Sequence, residues 1–312
     1  MCFGEFLGTF LLVLFGTGAV AASVLFKAHV GLLQVAAVWG VGVTLAIYAM
    51  RHLSCAHLNP AVSLGMVLAN RMQPRLLPWY VVAQLAGAVA AGAVVLALFS
   101  NPIADYEAAH QITRGAPESV QTAMMFGEYF PNPGFASAGL GVSMGSAALA
   151  EAIGTFVLVI MVFALTEGCN VGRPGGGVAP VFIGATVTAV ISVIAPLTQA
   201  GLNSARDFGP RLVAYLAGWG SVAIPGPRGG FFLVYIAAPL VGGAAAAIFF
   251  RFVVSRLMVK QDNIAADLVP PIQHRAAMPC QDSDAEREPA EVGAGTGTCS
   301  SSEGGQRQAR GR

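Results

Sequence analysis

Ser54-Cys55-Ala56-His57-Leu58-Asn59-Pro60-Ala61-Val62-Ser63-Leu64-Gly65 and Gly201-Leu202-Asn203-Ser204-Ala205-Arg206-Asp207 are two versions of one pattern. Each sets an Asn ahead of a helix start and an apolar stretch. The segments that hold them, 54–70 and 200–217, are too short and too polar to cross a bilayer. The runs 3–26, 32–50, 78–100, 144–166, 178–197 and 231–255 are different. Each approaches the ~20 mostly apolar residues that a spanning helix needs. Irregular backbone at membrane depth is tolerated only inside protein or along a wet cavity. The two Asn segments are therefore predicted to be re-entrant.

Composition agrees with a membrane setting. The chain is 55% hydrophobic and 11% charged, with mean hydropathy +0.66. Soluble domains carry about 25% charged residues. A net charge of +1 gives no reason to expect a nucleic-acid partner. The cysteines are scattered and form no CxxC pair, so a zinc or redox site has little support.

The chain repeats itself. Glu5-Phe6-Leu7-Gly8-Thr9-Phe10 recurs as Glu151-Ala152-Ile153-Gly154-Thr155-Phe156. Nearly the same offset separates Asn59 from Asn203. Each copy then has three spans and one re-entrant segment. Three is odd, so the second copy lies inverted, and the special segments face each other near the midplane. This predicts one channel domain over 1–256, with repeat one at about 1–100 and repeat two at about 144–256. Residues 257–312 are rich in Ser, Gly, Glu, Gln and Arg and read as a disordered cytoplasmic tail. Small-xxx-small spacings at Gly4/Gly8, Ala88/Gly92 and Gly141/Gly145 predict close helix packing. Arg51, Arg71, Arg75, Arg173, Arg251, Arg256 and Lys260 fall on one side, against Lys27, Arg114 and Arg228 on the other. This bias places both termini in the cytoplasm and the 101–143 connection, with Glu128, outside.

Four groups carry the chemistry. Asn59 and Asn203 can cap their half-helices through the side-chain oxygen and donate from the amide nitrogen. Two helix N-termini meeting there repel cations and offer donors only. Arg206 adds a charged donor at membrane depth, where an Arg usually lines a water path. Glu5 and Glu151 sit at matching places; a proton relay is conceivable, but acceptance from backbone N–H groups of the re-entrant loops is the stronger reading. His57 can act as a pH-sensitive group, or hold its loop by a hydrogen bond. No nucleophile–base pair, phosphate loop or metal-ligand cluster is present, so the sequence does not read as an enzyme.

These residues bring a resemblance into view. Asn59-Pro60-Ala61 and Asn203-Ser204-Ala205 are similar to the paired NPA boxes of the major intrinsic (aquaporin) proteins. The E-x-x-G-T-F starts and the six spans fit as well. The resemblance covers roughly 3–255. It implies an all-α bundle of six spans and two half-helices, a homotetramer with one pore per subunit, and passive flux without cofactor or metal. Asp207, Arg211 and Ile236 resemble the glycerol-facilitator branch; Tyr235 departs from the Pro usual there. Carried over by spacing from the Asn boxes, the selectivity filter is Trp39, Ile191, Ala200 and Arg206. This quartet resembles one class of plant nodulin-like channels. Ser204 replaces the usual Pro, which predicts a looser second half-helix. The implied function is passive diffusion of glycerol, water and similar solutes through the plasma membrane. A metalloid-acid, urea or ammonia channel of the same fold is the alternative. A coupled transporter would need midplane groups that load an ion, and the Asn pair supplies none.

Overall fold

The computed structural model describes residues 1–259 except 30, 140 and 171. The tail expected over 257–312 lies outside the described residues from 260 onward; 257–259 continue a helix. Among the described residues every regular element is helical. In order these are α1 (Cys2–Phe26), α2 (Leu32–Ser54), α3 (Pro60–Leu68), α4 (Leu77–Ala109), the single turn α5 (Val120–Ala123), α6 (Met144–Thr166), α7 (Ala179–Thr198), α8 (Ser204–Ala214) and α9 (Ala238–Phe249). The last belongs to one apolar helix over Phe232–Val259, which begins with a wider π turn over Phe232–Ala237. Six of these helices are long and apolar enough to cross a membrane. At ~1.5 Å per residue, the 25 residues of α1 reach roughly 37 Å, more than the hydrocarbon core.

The spans follow the apolar runs closely, with one departure. α4 continues to Ala109, well beyond the run that ends at 100. Pro102, Asp105 and Glu107 look like a helix end in sequence. In the fold the extra turns bury Ile103 and Glu107 against the outer connection. Arg114 Nη2 donates to Glu107 Oε2 at 2.8 Å, and the Thr122 hydroxyl donates to Glu107 Oε1 at 2.8 Å. Trp219 Nε1 donates in turn to Thr122 Oγ1 at 3.0 Å. The helix can extend because its acid finds partners.

Apolar attraction between helices is weak in lipid, so close contact decides the packing. α2 and α7 cross glycine on glycine. A Cβ on Gly40 would lie 2.4 Å from the Gly184 carbonyl oxygen, and one on Gly184 would lie 2.3 Å from that of Gly40. Across the same crossing Thr44 donates to Pro180 O and Thr188 to Ala36 O, each at 3.2 Å. Gly87 of α4 meets the Phe6 carbonyl and Gly242 of α9 meets the Ala152 carbonyl, each with 2.1 Å left for a Cβ. These contacts are repeat-equivalent. Gly4 and Gly8 pack against Ser54 and Leu58, and Gly92 packs against Pro210. Gly141 and Gly145 do not pack as their spacing predicts. Gly141 precedes the helix, and a Cβ there would meet nothing within 4 Å among the described residues; one on Gly145 would meet only Ser143 Oγ, at 3.9 Å.

Gly87→Ala is expected to destabilise the protein, because both atoms in the clash belong to rigid helices. Overpacking of this kind costs about 1–3 kcal/mol. Thermal unfolding in detergent should show a lower midpoint for Gly87→Ala and for Gly242→Ala; an unchanged midpoint for either would contradict this crossing.

The half-helices exchange partners between repeats. α3 packs chiefly on α9, and α8 on α4. Leu33, Val82, Leu98, Leu149, Val193, Leu216 and Val241 point outward, as a lipid-facing surface requires.

Candidate functional site, a passage between two re-entrant helices

Asn59 and Asn203 have extended backbones and cap α3 and α8. Asn59 Oδ1 accepts from Ala61 N at 2.8 Å. Asn203 Oδ1 accepts from Ala205 N at 3.1 Å and Arg206 N at 3.2 Å. The amide nitrogens then cross over. Asn59 Nδ2 donates to Leu202 O at 2.9 Å, and Asn203 Nδ2 donates to Leu58 O at 2.7 Å. Each tip is thus fastened to the backbone just ahead of the other Asn. An amide carries two hydrogens. One from each Asn holds the partner segment, and one remains for the passage.

Ser204 opens α8 directly after the Asn203 cap. Asn203 caps two backbone N–H groups, and Ser204 Oγ donates to Ile236 O at 3.3 Å. The hydroxyl thus adds a contact to the last span where a Pro ring would have fixed φ.

The stretches before the Asn residues are held from behind. Glu5, fully buried in α1, accepts from His57 N at 2.9 Å and Leu58 N at 2.8 Å. Glu151, fully buried in α6, accepts from Gly201 N at 2.9 Å, Leu202 N at 2.7 Å and the Thr198 hydroxyl at 2.6 Å. In a trans peptide the N–H and C=O point opposite ways. The carbonyls of Ala56, His57, Ala200 and Gly201 are therefore directed away from the carboxylates and toward the passage. Left-handed backbone at Cys55, Ala56 and Leu58, and again at Gln199, Ala200 and Leu202, lets so short a stretch turn its carbonyls this way. His57 Nδ1 lies 3.2 Å from Ser63 Oγ, so its ring ties the loop to α3.

One cavity of about 220 Å³ joins these parts. It runs from Arg51, Thr166 and Gly176 past Asn59 and Asn203 to Trp39, Ile191, Ala200 and Arg206. One wall carries the carbonyl row and the Asn amides. The facing wall is apolar, with Leu158, Val162, Ile183, Val187 and Ile191. The four residues chosen by spacing thus line one space. The Arg206 guanidinium stacks over the Trp39 ring, 3.9 Å from its centroid. Pro60, Ala61, Ser204 and Ala205 are buried behind it in the two helix starts.

Glu128 is the residue that sequence reading left in an outer loop. It is buried, and its carboxylate forms an ion pair with Arg206 Nη1. Asp207 and Arg211 bring it there. Asp207 Oδ1 accepts from Glu128 N, and Arg211 Nη2 donates to Glu128 O. Arg211 Nε and Nη2 each reach Asp207 at 3.0 Å, and Nη1 reaches Ala223 O at 2.8 Å. The guanidinium lies 4.7 Å from the Tyr129 ring centroid and 4.9 Å from that of Phe231. Burial pushes the Tyr129 phenol up to about 12, so it stays neutral and donates to Val222 O at 3.0 Å. Asp207 and Arg211 therefore latch the outer loops over the mouth. Two arginines, Arg206 and Arg211, against the single acid Asp207 were the hint in sequence that a further acid was needed.

The major intrinsic protein family model matches residues 1–250. This chain belongs to that family. A glycerol uptake facilitator protein of Pseudomonas aeruginosa is 43% identical over 256 residues, covering 82% of this chain and 88% of the relative. A propanediol uptake facilitator of Citrobacter freundii is 39% identical, covering 82% and 92%. The X-ray structure of the aquaglyceroporin from Plasmodium falciparum matches with a TM-score of 0.70 at 25% identity, covering 82% of this chain and 97% of that one. Its membership and its six apolar helices make this major intrinsic protein a multi-pass integral membrane protein.

Proposed function

We propose that this chain is a passive channel for glycerol and other small uncharged solutes, water included. The observation that carries the reading is the two-faced cavity. Donors and carbonyls lie along one wall and aliphatic side chains along the other. A polyol can turn its hydroxyls to the first and its CH edge to the second. Trp39, Ile191, Ala200 and Arg206 form the filter. Trp39 and Ile191 take the carbon edge, Arg206 takes a hydroxyl, and the small Ala200 leaves width. At Asn59 and Asn203, two helix N-termini and two amide hydrogens face the passage, so cations are rejected. A molecule there accepts hydrogen bonds and cannot pass on a proton. The relatives named as glycerol and propanediol uptake facilitators support the same solute class. The positive bias of the loops supports cytoplasmic termini in the plasma membrane, the outward apolar surface suits lipid, and a homotetramer is what family membership implies.

Stopped-flow light scattering on proteoliposomes tests this reading, with glycerol, urea, boric acid and water compared side by side. Glycerol should enter down its gradient, unaffected by proton or sodium gradients. Uphill flux driven by either ion would refute a channel. Boric acid or urea outpacing glycerol would shift the reading to the alternative solutes. Ala200→Phe should slow glycerol about fivefold and water less, because the added ring fills the width of the filter. Equal slowing of all solutes would remove Ala200 from the filter.

A further inference from the structure

The two re-entrant segments are held by a pair of repeat-related tyrosines. Tyr80 of α4 donates from its phenol to Ser54 O at 2.8 Å, and its ring tilts onto His57, with centroids 5.1 Å apart. Tyr235, in the π turn of the last span, donates to Thr198 O at 3.1 Å. Its ring lies against Gly201, where a Cβ would come 2.9 Å from Tyr235 Cδ1. Ser54 and Thr198 close α2 and α7. His57 and Gly201 stand two places before the two Asn residues. The clamps are equivalent in the repeat, but they hold different things. The first grips a loop remote from the filter. The second grips the segment that carries Ala200, the Gly201 carbonyl and, after Asn203, Arg206.

Tyr235 has further contacts that Tyr80 lacks. Its ring meets Phe130 of the outer loop at 6.4 Å and lies 5.4 Å from the Arg211 guanidinium. The next residue, Ile236, accepts the Ser204 hydroxyl. The last span therefore touches the filter segment on both limbs, at Thr198 and at Ser204. The phenol contact is the shorter of the two bonds, so it is the stronger restraint.

We propose that Tyr235 is a positioning residue for solute discrimination: its phenol sets how far the Ala200–Gly201 carbonyl row stands from Arg206 and Trp39, while Tyr80 fixes its own loop without touching the choice of solute. The proposal rests on the channel reading above. A Phe at 235 keeps the ring and removes the restraint on Thr198 O, so the carbonyl row gains freedom across the filter. One neutral hydrogen bond is worth about 1 kcal/mol, which bounds the change at roughly fivefold.

The test compares Tyr235→Phe with Tyr80→Phe in proteoliposomes, measuring glycerol against erythritol, a longer polyol. Tyr235→Phe is expected to lower the glycerol-to-erythritol ratio about threefold. Tyr80→Phe, which loses the same bond elsewhere, should leave that ratio unchanged. Ser204→Ala should lower it less than Tyr235→Phe, and Ser204→Thr should restore it. An unchanged ratio in Tyr235→Phe, or an equal shift in both tyrosine variants, overturns the proposal. Hydrogen exchange of the 198–206 amides gives an answer independent of flux. Faster exchange in Tyr235→Phe supports the clamp, and wild-type exchange rejects it. Wild-type liposomes closed to glycerol would defeat the channel reading and leave the clamp to be judged by exchange.

Discussion

Glu151→Leu is expected to lower solute permeability at least about tenfold. The carboxylate accepts from two backbone N–H groups and one hydroxyl, all buried. Leucine fills the space and accepts none of them. Each stranded donor costs about 1–3 kcal/mol, so the segment before Asn203 has to rearrange to recover partners. The carbonyl row then loses its direction. Glu151→Gln keeps the shape but turns one acceptor into a donor, and should give an intermediate loss. Flux per molecule of correctly assembled protein is the measurement. Full permeability in Glu151→Leu would show that the carboxylate does not shape the passage.

Glu128→Gln is the second large effect, with glycerol permeability expected to fall about tenfold. The ion pair with Arg206 is nearly closed to solvent, with side-chain exposures of 5% and 6%. Removing one charge of a buried pair leaves the other uncompensated, and such changes cost about 3–5 kcal/mol. Water in the passage offsets part of this. The remainder acts on Arg206, which loses its anchor and is free to leave the Trp39 ring for the lumen. A guanidinium standing in the path holds hydroxyls longer and narrows the filter. Stopped-flow rates should fall more for glycerol than for water. Rates equal to wild type would show that Arg206 is placed by its stack on Trp39 alone.

The spans were legible because hydropathy is a local signal and lipid enforces it. The repeat was legible because Glu5/Glu151 and Asn59/Asn203 recur at nearly one offset. Two facts then follow from symmetry without coordinates: the copies are inverted, and the special segments face each other. Long-range contacts were not legible. Glu128 reads as one more acid in an outer loop until Asp207 and Arg211 are seen to hold its backbone. Tyr235 reads as a departure from the glycerol-facilitator pattern until its phenol is seen on Thr198 O. The end of α4 was misplaced for a related reason. Asp105 and Glu107 are polar in sequence, but Glu107 is buried and paired in the fold. Spacing misled at Gly141 and Gly145, because a small-residue motif says nothing about whether a neighbour is present.

The exchange of half-helices between repeats bears on how the chain is made. α3 emerges early in synthesis, yet its chief neighbour is α9, the last long helix. Its tip is also fastened to Leu202, well into the second copy. While the intervening spans are being inserted, Glu5 of α1 and Tyr80 of α4 can already hold the loop ahead of α3, but the half-helix itself lacks its chief neighbour and Asn59 its acceptor. A ribosome stalled before residue 232 would therefore leave a chain whose first loop is tied down and whose half-helix has yet to find its seat.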